Sequence, residues 1–313
     1  MIGAARVPTT ALAAVLGSAL AWCGVLGMGP SSAIPWGNAQ GQLAFGGFPR
    51  TYLVHAPAGN DHPAGLVINL HGSGASGAAQ AAITNYDAIA DALGFVVVYP
   101  DGIDQSWADG RGASPADHAG VDDVGFLVAL VDRLVRDYGI NPGRVFATGI
   151  SAGAFMANRL ACDRSDVIAA IAPVAGTLGT GVPCNASQPV SVLESHGTAD
   201  PVVPYDGGTM QGLGGVSDIV AAPAMASRWR NLDRCGGAPV EDVLPSTGDG
   251  TAVHRFTAVG CADGADVVLL RIDGGGHTWP SGTLALPTGS VGATTDVFNA
   301  SLGSAQFFAA HGR

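Results

Sequence analysis

Apolar and polar residues along this chain fall into blocks whose lengths match strands and helices. Short runs that are apolar throughout, such as 66–70 and 95–99, predict strands buried on both faces. Between such runs, the stretches 79–93 and 122–138 carry apolar residues three and four positions apart, the spacing of one helix face. Further helices are predicted over 217–232 and 297–310, and further strands over 50–56, 145–148, 189–193 and 267–272.

Strands that alternate with helices, each strand apolar along its length, predict a mostly parallel sheet with helices on both faces. The pattern therefore indicates an α/β protein. A chain of 313 residues with no internal repeat or long linker suits one large domain of this class. Ligands of such sheets bind in the loops after the carboxyl ends of the strands, so chemistry is expected there.

The N-terminal segment has the features of an export signal. A single cation, Arg6, precedes a nearly unbroken apolar run over 11–29, and small residues follow at 31–33. We therefore expect a signal peptide over 1–33 and a single domain over 34–313. The apolar run is long enough to span a bilayer, so an uncleaved anchor is the alternative. After signal removal we expect a secreted protein without stable membrane insertion, with release and retention at the cell envelope both open.

The mature chain would keep four cysteines, Cys162, Cys184, Cys235 and Cys261. An even number in an exported chain, with no C-x-x-C pair, indicates two disulfides rather than zinc or redox chemistry. Sequential pairing is favoured because each bond then closes a short loop within one local unit. In the chain-entropy model, loops of this size contribute about 3 to 4 kcal/mol each.

The charge of the chain excludes several functions. A formal net charge of -11 repels phosphate backbones and anionic lipid surfaces, so nucleic acid is not an expected partner. All 14 basic residues are arginine. Without lysine the chain has no Ser-Lys dyad, no Schiff-base chemistry and no phosphate-binding loop of the lysine type.

The most informative motif is G-x-S-x-G at 149–153, between the apolar run 145–148 and the helical segment 154–160. A serine at such a strand-to-helix turn takes a strained backbone conformation, for which the flanking glycines leave room. The helix that follows directs free N–H groups and its positive dipole end at a developing oxyanion. Ser151 is therefore the predicted nucleophile.

Ser151 needs an imidazole to accept its proton and a carboxylate to orient that imidazole. After a nucleophile elbow these partners follow in the order acid, then histidine. His277 lies in the glycine-rich loop after the last strong strand and is the predicted base. Asp200 follows a predicted strand end between the two and is the predicted acid, with Asp206 as its nearest competitor.

Two backbone N–H groups are expected to hold the oxyanion: that of Ala152, after the nucleophile, and that of Ser73, after an early strand. His71 precedes the nucleophile and is expected to brace this loop. Trp107 and Trp279 are candidates for the substrate pocket, because aromatic side chains beside a catalytic base suit an apolar or aromatic ester. Ordinary packing is the alternative for both. This chemistry requires no cofactor and no metal.

Together the motifs resemble those of the exported α/β-hydrolases grouped as poly(3-hydroxybutyrate) depolymerases and feruloyl or acetylxylan esterases. The resemblance covers about 50–311 and rests on Leu-His-Gly at 70–72, Tyr-Pro-Asp-Gly at 99–102, Asp-Asp-Val-Gly-Phe at 122–126, the elbow, the segment 196–205, Trp229 before Cys235, and Gly-Gly-His-Thr-Trp-Pro at 275–280. It implies the α/β-hydrolase fold and a triad that carries over to Ser151, Asp200 and His277.

The resemblance further implies a serine esterase that acts through an acyl-enzyme on small or oligomeric esters, either hydroxybutyrate oligomers or feruloyl and acetyl esters of plant polysaccharide. An acyltransferase or a peptidase with the same triad, or a non-catalytic envelope protein that kept the fold, are the alternatives. Depolymerases of solid polyester usually append a polymer-binding domain. None is expected here, which favours soluble or short esters over crystalline polymer.

Overall fold

The fold is described from a computed structural model over residues 36–284 and 288–313. The predicted signal peptide at 1–33 lies outside these residues. The central strands are β1 Gly37–Phe45, β2 Phe48–Ala56, β3 Gly65–Leu70, β4 Phe95–Pro100, β5 Val145–Ile150, β6 Ala170–Val174 and β7 Ser191–Gly197. The remaining strands are β8 Gly208–Gly212, β9 Gly215–Ile219, β10 Gly236–Val243, β11 Ala252–Val259 and β12 Val267–Asp273. The α-helices are α1 Gly77–Thr84, α2 Tyr86–Leu93, α3 Pro115–His118, α4 Asp123–Tyr138, α5 Ala152–Asp163, α6 Ala222–Leu232, α7 Thr288–Val291 and α8 Ala300–Ala310.

The described residues form a ten-stranded sheet in the order β1-β2-β4-β3-β5-β6-β7-β12-β11-β10. Strands β4, β3, β5, β6, β7 and β12 run parallel, whereas β1 and β2 at one side and β11 and β10 at the other pair antiparallel. The parallel strands have their carboxyl ends at one edge, which is where the candidate site lies. The predicted α/β class with a mostly parallel sheet is thus confirmed.

Helices cover both faces of the sheet, as the sequence predicts. On one face, α4, α5 and α6 bury side chains such as Leu130, Met156 and Trp229 in the largest apolar cluster. On the other face, α2 and α8 pack residues such as Tyr86 and Phe308 against β4 and β5. Within the part of the chain described here, no helix is long and apolar enough to cross a membrane.

Two predicted helices differ from the structure. The predicted helix over 79–93 is two helices, because Asn85 takes a left-handed conformation at φ 47° and ends α1, a conformation that asparagine tolerates. The predicted helix over 217–232 begins only at Ala222. Its first residues pair with β8 as strand β9, and Pro223 in the first turn marks the true helix start.

The structure joins Cys162 to Cys184 and Cys235 to Cys261, the sequential pairing expected from the sequence. The first bond links the end of α5 to the segment before β7. The second links the start of β10 to the end of β11. Two disulfides are consistent with a protein that folds in an oxidising compartment.

Glu194 on β7 is the least usual core residue. Its side chain is fully buried, and neither carboxylate oxygen has a hydrogen-bond partner among the described residues. Burial disfavours the charged form and raises the pKa of this carboxyl well above its usual value of 4.5. Between pH 4.5 and the raised pKa, the folded chain therefore keeps a proton on Glu194 that the unfolded chain releases.

Because the folded chain keeps the Glu194 proton, the substitution Glu194→Gln should change stability in a pH-dependent way. Because the folded state binds the extra proton, the stability of the wild type falls as pH rises from about 4.5 toward the raised pKa. The glutamine variant lacks this loss, so its stability relative to the wild type should rise by up to about 1.4 kcal/mol per pH unit in that window. Urea unfolding at several pH values measures the difference.

The matched control is Glu241→Gln, which changes the only other glutamate of the chain. The side chain of Glu241 is half exposed. A Glu194→Gln stability difference that stays constant between pH 4.5 and 8, or that matches the control, would show that Glu194 does not hold an extra proton in the folded state.

Candidate active site

The candidate nucleophile lies at the tight turn between β5 and α5. Ser151 has φ 56° and ψ -123°, a conformation that costs a residue with a side chain of the order of 1–3 kcal/mol. Its N–H donates to Val174 O at 3.0 Å, and its carbonyl accepts the N–H groups of Ala154 and Phe155 at 2.9 and 3.0 Å. The strained residue is therefore held on one side by the neighbouring strand and on the other by the first turn of the helix.

Glycines make this turn sterically feasible. A Cβ atom on Gly149 would lie 2.5 Å from Leu70 O, and a Cβ on Gly153 would lie 2.1 Å from the same oxygen. A Cβ on Gly176 would lie 2.6 Å from Ser151 O. These distances are shorter than any normal contact, so the β5–α5 turn, the end of β3 and the loop after β6 approach each other only because these positions lack side chains.

His277 and Asp200, the predicted base and acid, are brought together. The Nδ1 atom of His277 donates to Asp200 Oδ2 at 2.8 Å, which assigns the proton to Nδ1 and leaves Nε2 as an acceptor. The other oxygen, Asp200 Oδ1, accepts the N–H groups of Val202 and Val203, each at 2.8 Å. The carboxyl group of Asp200 is fully buried. The competitor Asp206 is exposed.

Backbone bonds tie the loops of His277 and Asp200 together. Thr198 N donates to Ile272 O and Ala199 N donates to Gly275 O, both at 2.9 Å. Ser151, Asp200 and His277 thus follow the carboxyl ends of β5, β7 and β12, which belong to one parallel set.

Ser151, the third residue of the candidate triad, lies beside the loop that carries His277. Trp279, two residues after His277, shares a buried apolar cluster with Ile150, the residue before Ser151. No hydrogen bond joins Ser151 Oγ to His277 among the described residues. Such bonds often form only when substrate is bound, so their absence is compatible with a catalytic pair.

The predicted oxyanion donors flank Ser151. A Cβ on Gly72 would lie 3.4 Å from Ser151 Cβ, which places the loop at 71–74 directly against the elbow. Within the described residues, the N–H groups of Ser73 and Ala152 donate to no backbone or side-chain acceptor. Ala152 is the first residue of α5, so its N–H points out of the helix end. Both donors are free to bind an external oxygen.

His71 braces this loop, as expected from the sequence. Its Nε2 accepts the N–H of Gly102 at 2.9 Å, so the proton lies on Nδ1, which donates to Gly72 O at 2.8 Å. Its own carbonyl accepts Trp107 Nε1 at 2.9 Å. The imidazole is fully buried, and burial lowers its pKa, which keeps it neutral in this bonding pattern.

The two candidate pocket tryptophans are both inside the protein. Trp107 is fully buried and lies 4.8 Å from the His71 ring. Trp279 is 3% exposed, and its Nε1 donates to Ser301 Oγ at 3.0 Å. In this structure the indoles support the loops of Ser73 and His277. Contact with substrate stays a prediction for both.

A buried ion pair near Trp107 was not predicted from the sequence, in which Asp122 and Asp123 stand at the start of the predicted helix 122–138. Asp122 does cap α4, through the N–H of Gly125 at 2.8 Å. Asp123 instead pairs with Arg50 at 2.5 Å and accepts Ala108 N at 2.7 Å. Burial raises the pKa of Asp123, and the Arg50 guanidinium opposes that shift. The pair thereby holds the segment that carries Trp107.

Comparisons with known proteins identify the family of the chain. Residues 51–225 match the family described as esterase PHB depolymerase. The putative esterase NocK of Nocardia uniformis subsp. tsuyamanensis is 32% identical over 265 residues, covering 81% of this chain and 77% of that protein. Feruloyl esterase B of Piromyces equi is 30% identical over 254 residues, covering 75% of this chain but only 44% of that protein.

Among solved structures, an acetyl xylan esterase from Aspergillus awamori superposes with a TM-score of 0.54 at 16% identity, covering 77% of this chain and 94% of that one. At this identity the likeness concerns the fold. The sheet, the elbow and the helices on both faces define an α/β-hydrolase. The chain belongs to the esterase PHB depolymerase family, and with it to the carboxylic ester hydrolases.

The glycine contacts predict that Gly153→Ala disrupts the elbow. The new methyl group would meet Leu70 O at 2.1 Å, so the backbone of β3 or α5 must shift. We expect the free energy of unfolding to fall by about 1–3 kcal/mol and esterase activity to be lost. The control Gly303→Ala lies in α8 with no atom within 4 Å of its Cβ, and should stabilise slightly. Thermal unfolding of both variants tests the contact, and equal melting temperatures would contradict it.

Proposed function

We propose that this chain is an exported serine esterase that cleaves esters through an acyl-enzyme on Ser151. The observation that carries the proposal is the 2.8 Å bond from His277 Nδ1 to the buried Asp200 carboxylate, at the sheet edge where Ser151 is presented at φ 56°. This bond leaves His277 Nε2 as the proton acceptor. That arrangement supplies nucleophile, base and orienting acid in the order typical of the fold.

In the first half of the proposed reaction, Ser151 Oγ attacks the ester carbonyl carbon while its proton passes to His277 Nε2. The carbonyl oxygen becomes an oxyanion and accepts hydrogen bonds from the N–H groups of Ser73 and Ala152. The intermediate collapses when the C–O bond to the alcohol breaks. The alcohol leaves with the proton from His277, and the acyl group stays on Ser151.

In the second half, His277 removes a proton from a water molecule, whose oxygen attacks the acyl carbon. The same N–H groups hold the second oxyanion, and the acid leaves as Ser151 Oγ takes back the proton. The Asp200 carboxylate stabilises the imidazolium in both halves. No step requires a metal or a cofactor.

The substrate class is proposed from the relatives. The matching proteins include a feruloyl esterase and an acetyl xylan esterase, and the family description names a depolymerase of polyhydroxybutyrate. We propose feruloyl or acetyl esters of polysaccharide, or hydroxybutyrate oligomers, as substrates. A hydrolysis panel of methyl ferulate, acetylated xylan and hydroxybutyrate oligomers tests this, with crystalline polymer film as the substrate expected to be cleaved slowest.

Ser151→Ala and His277→Ala should each abolish hydrolysis of p-nitrophenyl acetate, because members of a triad act as a unit and loss of one costs up to about a million-fold in turnover. The control Ser227→Ala removes an exposed hydroxyl on α6 and should retain full activity. Circular dichroism shows whether each variant is folded. A folded Ser151→Ala variant that keeps more than a few per cent of the wild-type rate would refute the proposed nucleophile.

The backbone role of Ser73 predicts opposite results for two substitutions. Ser73→Pro removes the N–H and should lower kcat by about 10²–10³-fold. Ser73→Ala keeps the N–H and should leave kcat within a few-fold of the wild type. Steady-state kinetics with p-nitrophenyl acetate compare the two, and equal kcat values in folded variants would exclude the Ser73 N–H as an oxyanion donor.

A further inference from the structure

A groove of about 280 Å³ lies on the α6 face of the sheet, apart from Ser151 and His277. We call it the Arg230 groove and define it by six lining residues, Tyr205, Ala226, Arg230, Phe256, Leu269 and Arg271. Neither the candidate nucleophile nor the candidate base lines it. Its lining combines two buried apolar residues, Ala226 and Leu269, with the rings of Tyr205 and Phe256 and with two arginines.

The strand register and the helix spacing explain how these residues meet. Leu269 on β12 pairs directly with Phe256 on β11, so both side chains point to the same face of the sheet. Pro223, Ala226 and Arg230 are separated by three and four positions and therefore lie on one side of α6. The strand pairing and the helix spacing together therefore form the groove.

Arg230 has no protein partner among the described residues. Its Nε atom is buried without a hydrogen-bond partner, and the guanidinium forms no ion pair with any described residue. Arg271 across the groove differs, since it binds the Asp273 carboxylate at 2.8 and 3.2 Å and covers the Phe256 ring. An anion in the groove would give the Arg230 guanidinium, Nε included, the hydrogen bonds that the described residues do not supply.

Tyr205 offers a second donor in the same groove. Burial raises the pKa of its phenol to about 12, so the hydroxyl is neutral and keeps its proton. It donates to no acceptor among the described residues. A ligand oxygen between Arg230 and Tyr205 would therefore meet one charged and one neutral donor, while apolar atoms of the ligand contact Leu269, Ala226 and Phe256.

We propose that the Arg230 groove binds a small carboxylate with an aromatic or apolar body. The planar guanidinium of Arg230 matches a carboxylate, which it can bind through two parallel hydrogen bonds. The groove holds one arginine without an ion-pair partner among the described residues, and the chain has a net charge of -11, which together favour a monoanion over a dianion such as a phosphate ester. The apolar body of the ligand contacts Tyr205 and Phe256, which both line the groove. This binding is independent of ester hydrolysis.

Isothermal titration calorimetry with 3-phenylpropanoate tests the site, with neutral 3-phenylpropanamide as the matched ligand. The wild type should bind one carboxylate per chain at least ten-fold more tightly than the amide. Arg230→Gln should lose at least ten-fold in affinity for the carboxylate. Tyr205→Phe, which keeps the ring and removes the donor, should lose several-fold.

The control variant is Arg228→Gln, which makes the same charge change on the same helix two residues away, at a position that does not line the groove. It should bind 3-phenylpropanoate like the wild type. The proposal fails if the wild type shows no saturable binding, if the amide binds as tightly as the carboxylate, or if Arg228→Gln and Arg230→Gln lose affinity equally. Circular dichroism confirms that the compared variants are folded.

Discussion

The whole site depends on one close approach, that of the β5–α5 turn to the end of β3. Gly149 and Gly153 both face Leu70 O at distances that no side chain allows. Because the turn is this close, Ser151 is forced to φ 56° and its neighbour Ala152 begins the helix with a free N–H. The same approach sets the loop that follows β3 beside the serine. The candidate nucleophile and the candidate oxyanion donors are therefore fixed by one steric constraint.

The other two residues of the candidate triad are positioned by neighbouring strands of the sheet rather than by a tight turn. Asp200 and His277 leave adjacent parallel strands, and backbone hydrogen bonds between their loops bring the two side chains to 2.8 Å. Behind them, His196 donates to Val203 O, and Val203 N donates to Asp200 Oδ1. The loop of Asp200 is thus supported by a buried imidazole.

Much of this arrangement could be predicted from the sequence. Fully apolar strands such as β3 and β4 are distinctive, and the elbow motif together with the strand order constrains Ser151, Asp200 and His277. The edge strands were harder to predict. Strand β10 has no continuous buried face, so its apolar residues show no period that distinguishes a strand from a loop. Residues 217–219 of strand β9 are predicted from the sequence to begin a helix. Only their pairing with β8, and no pattern in their own residues, marks them as a strand.

Contacts distant in sequence that no motif marks were beyond prediction. The pairing of Arg50 with Asp123 joins residues 73 positions apart, and Asp123 beside a helix start looks like an ordinary cap. Arg230 likewise looks like any exposed helical arginine until Phe256 and Leu269 are seen opposite it. Such features depend on which side chains the fold brings together, and this information is absent from local patterns.

The central claim is that Ser151 alone carries the reactive hydroxyl of the hydrolase, and covalent labelling tests it most directly. The enzyme is treated with an organophosphonate until p-nitrophenyl acetate hydrolysis stops, and the adduct is mapped by peptide mass spectrometry. The account predicts one phosphonyl group per chain, on the peptide that contains Ser151, with label and lost activity rising together. Inactivation with the label on another residue, or full labelling of Ser151 with activity intact, would contradict it.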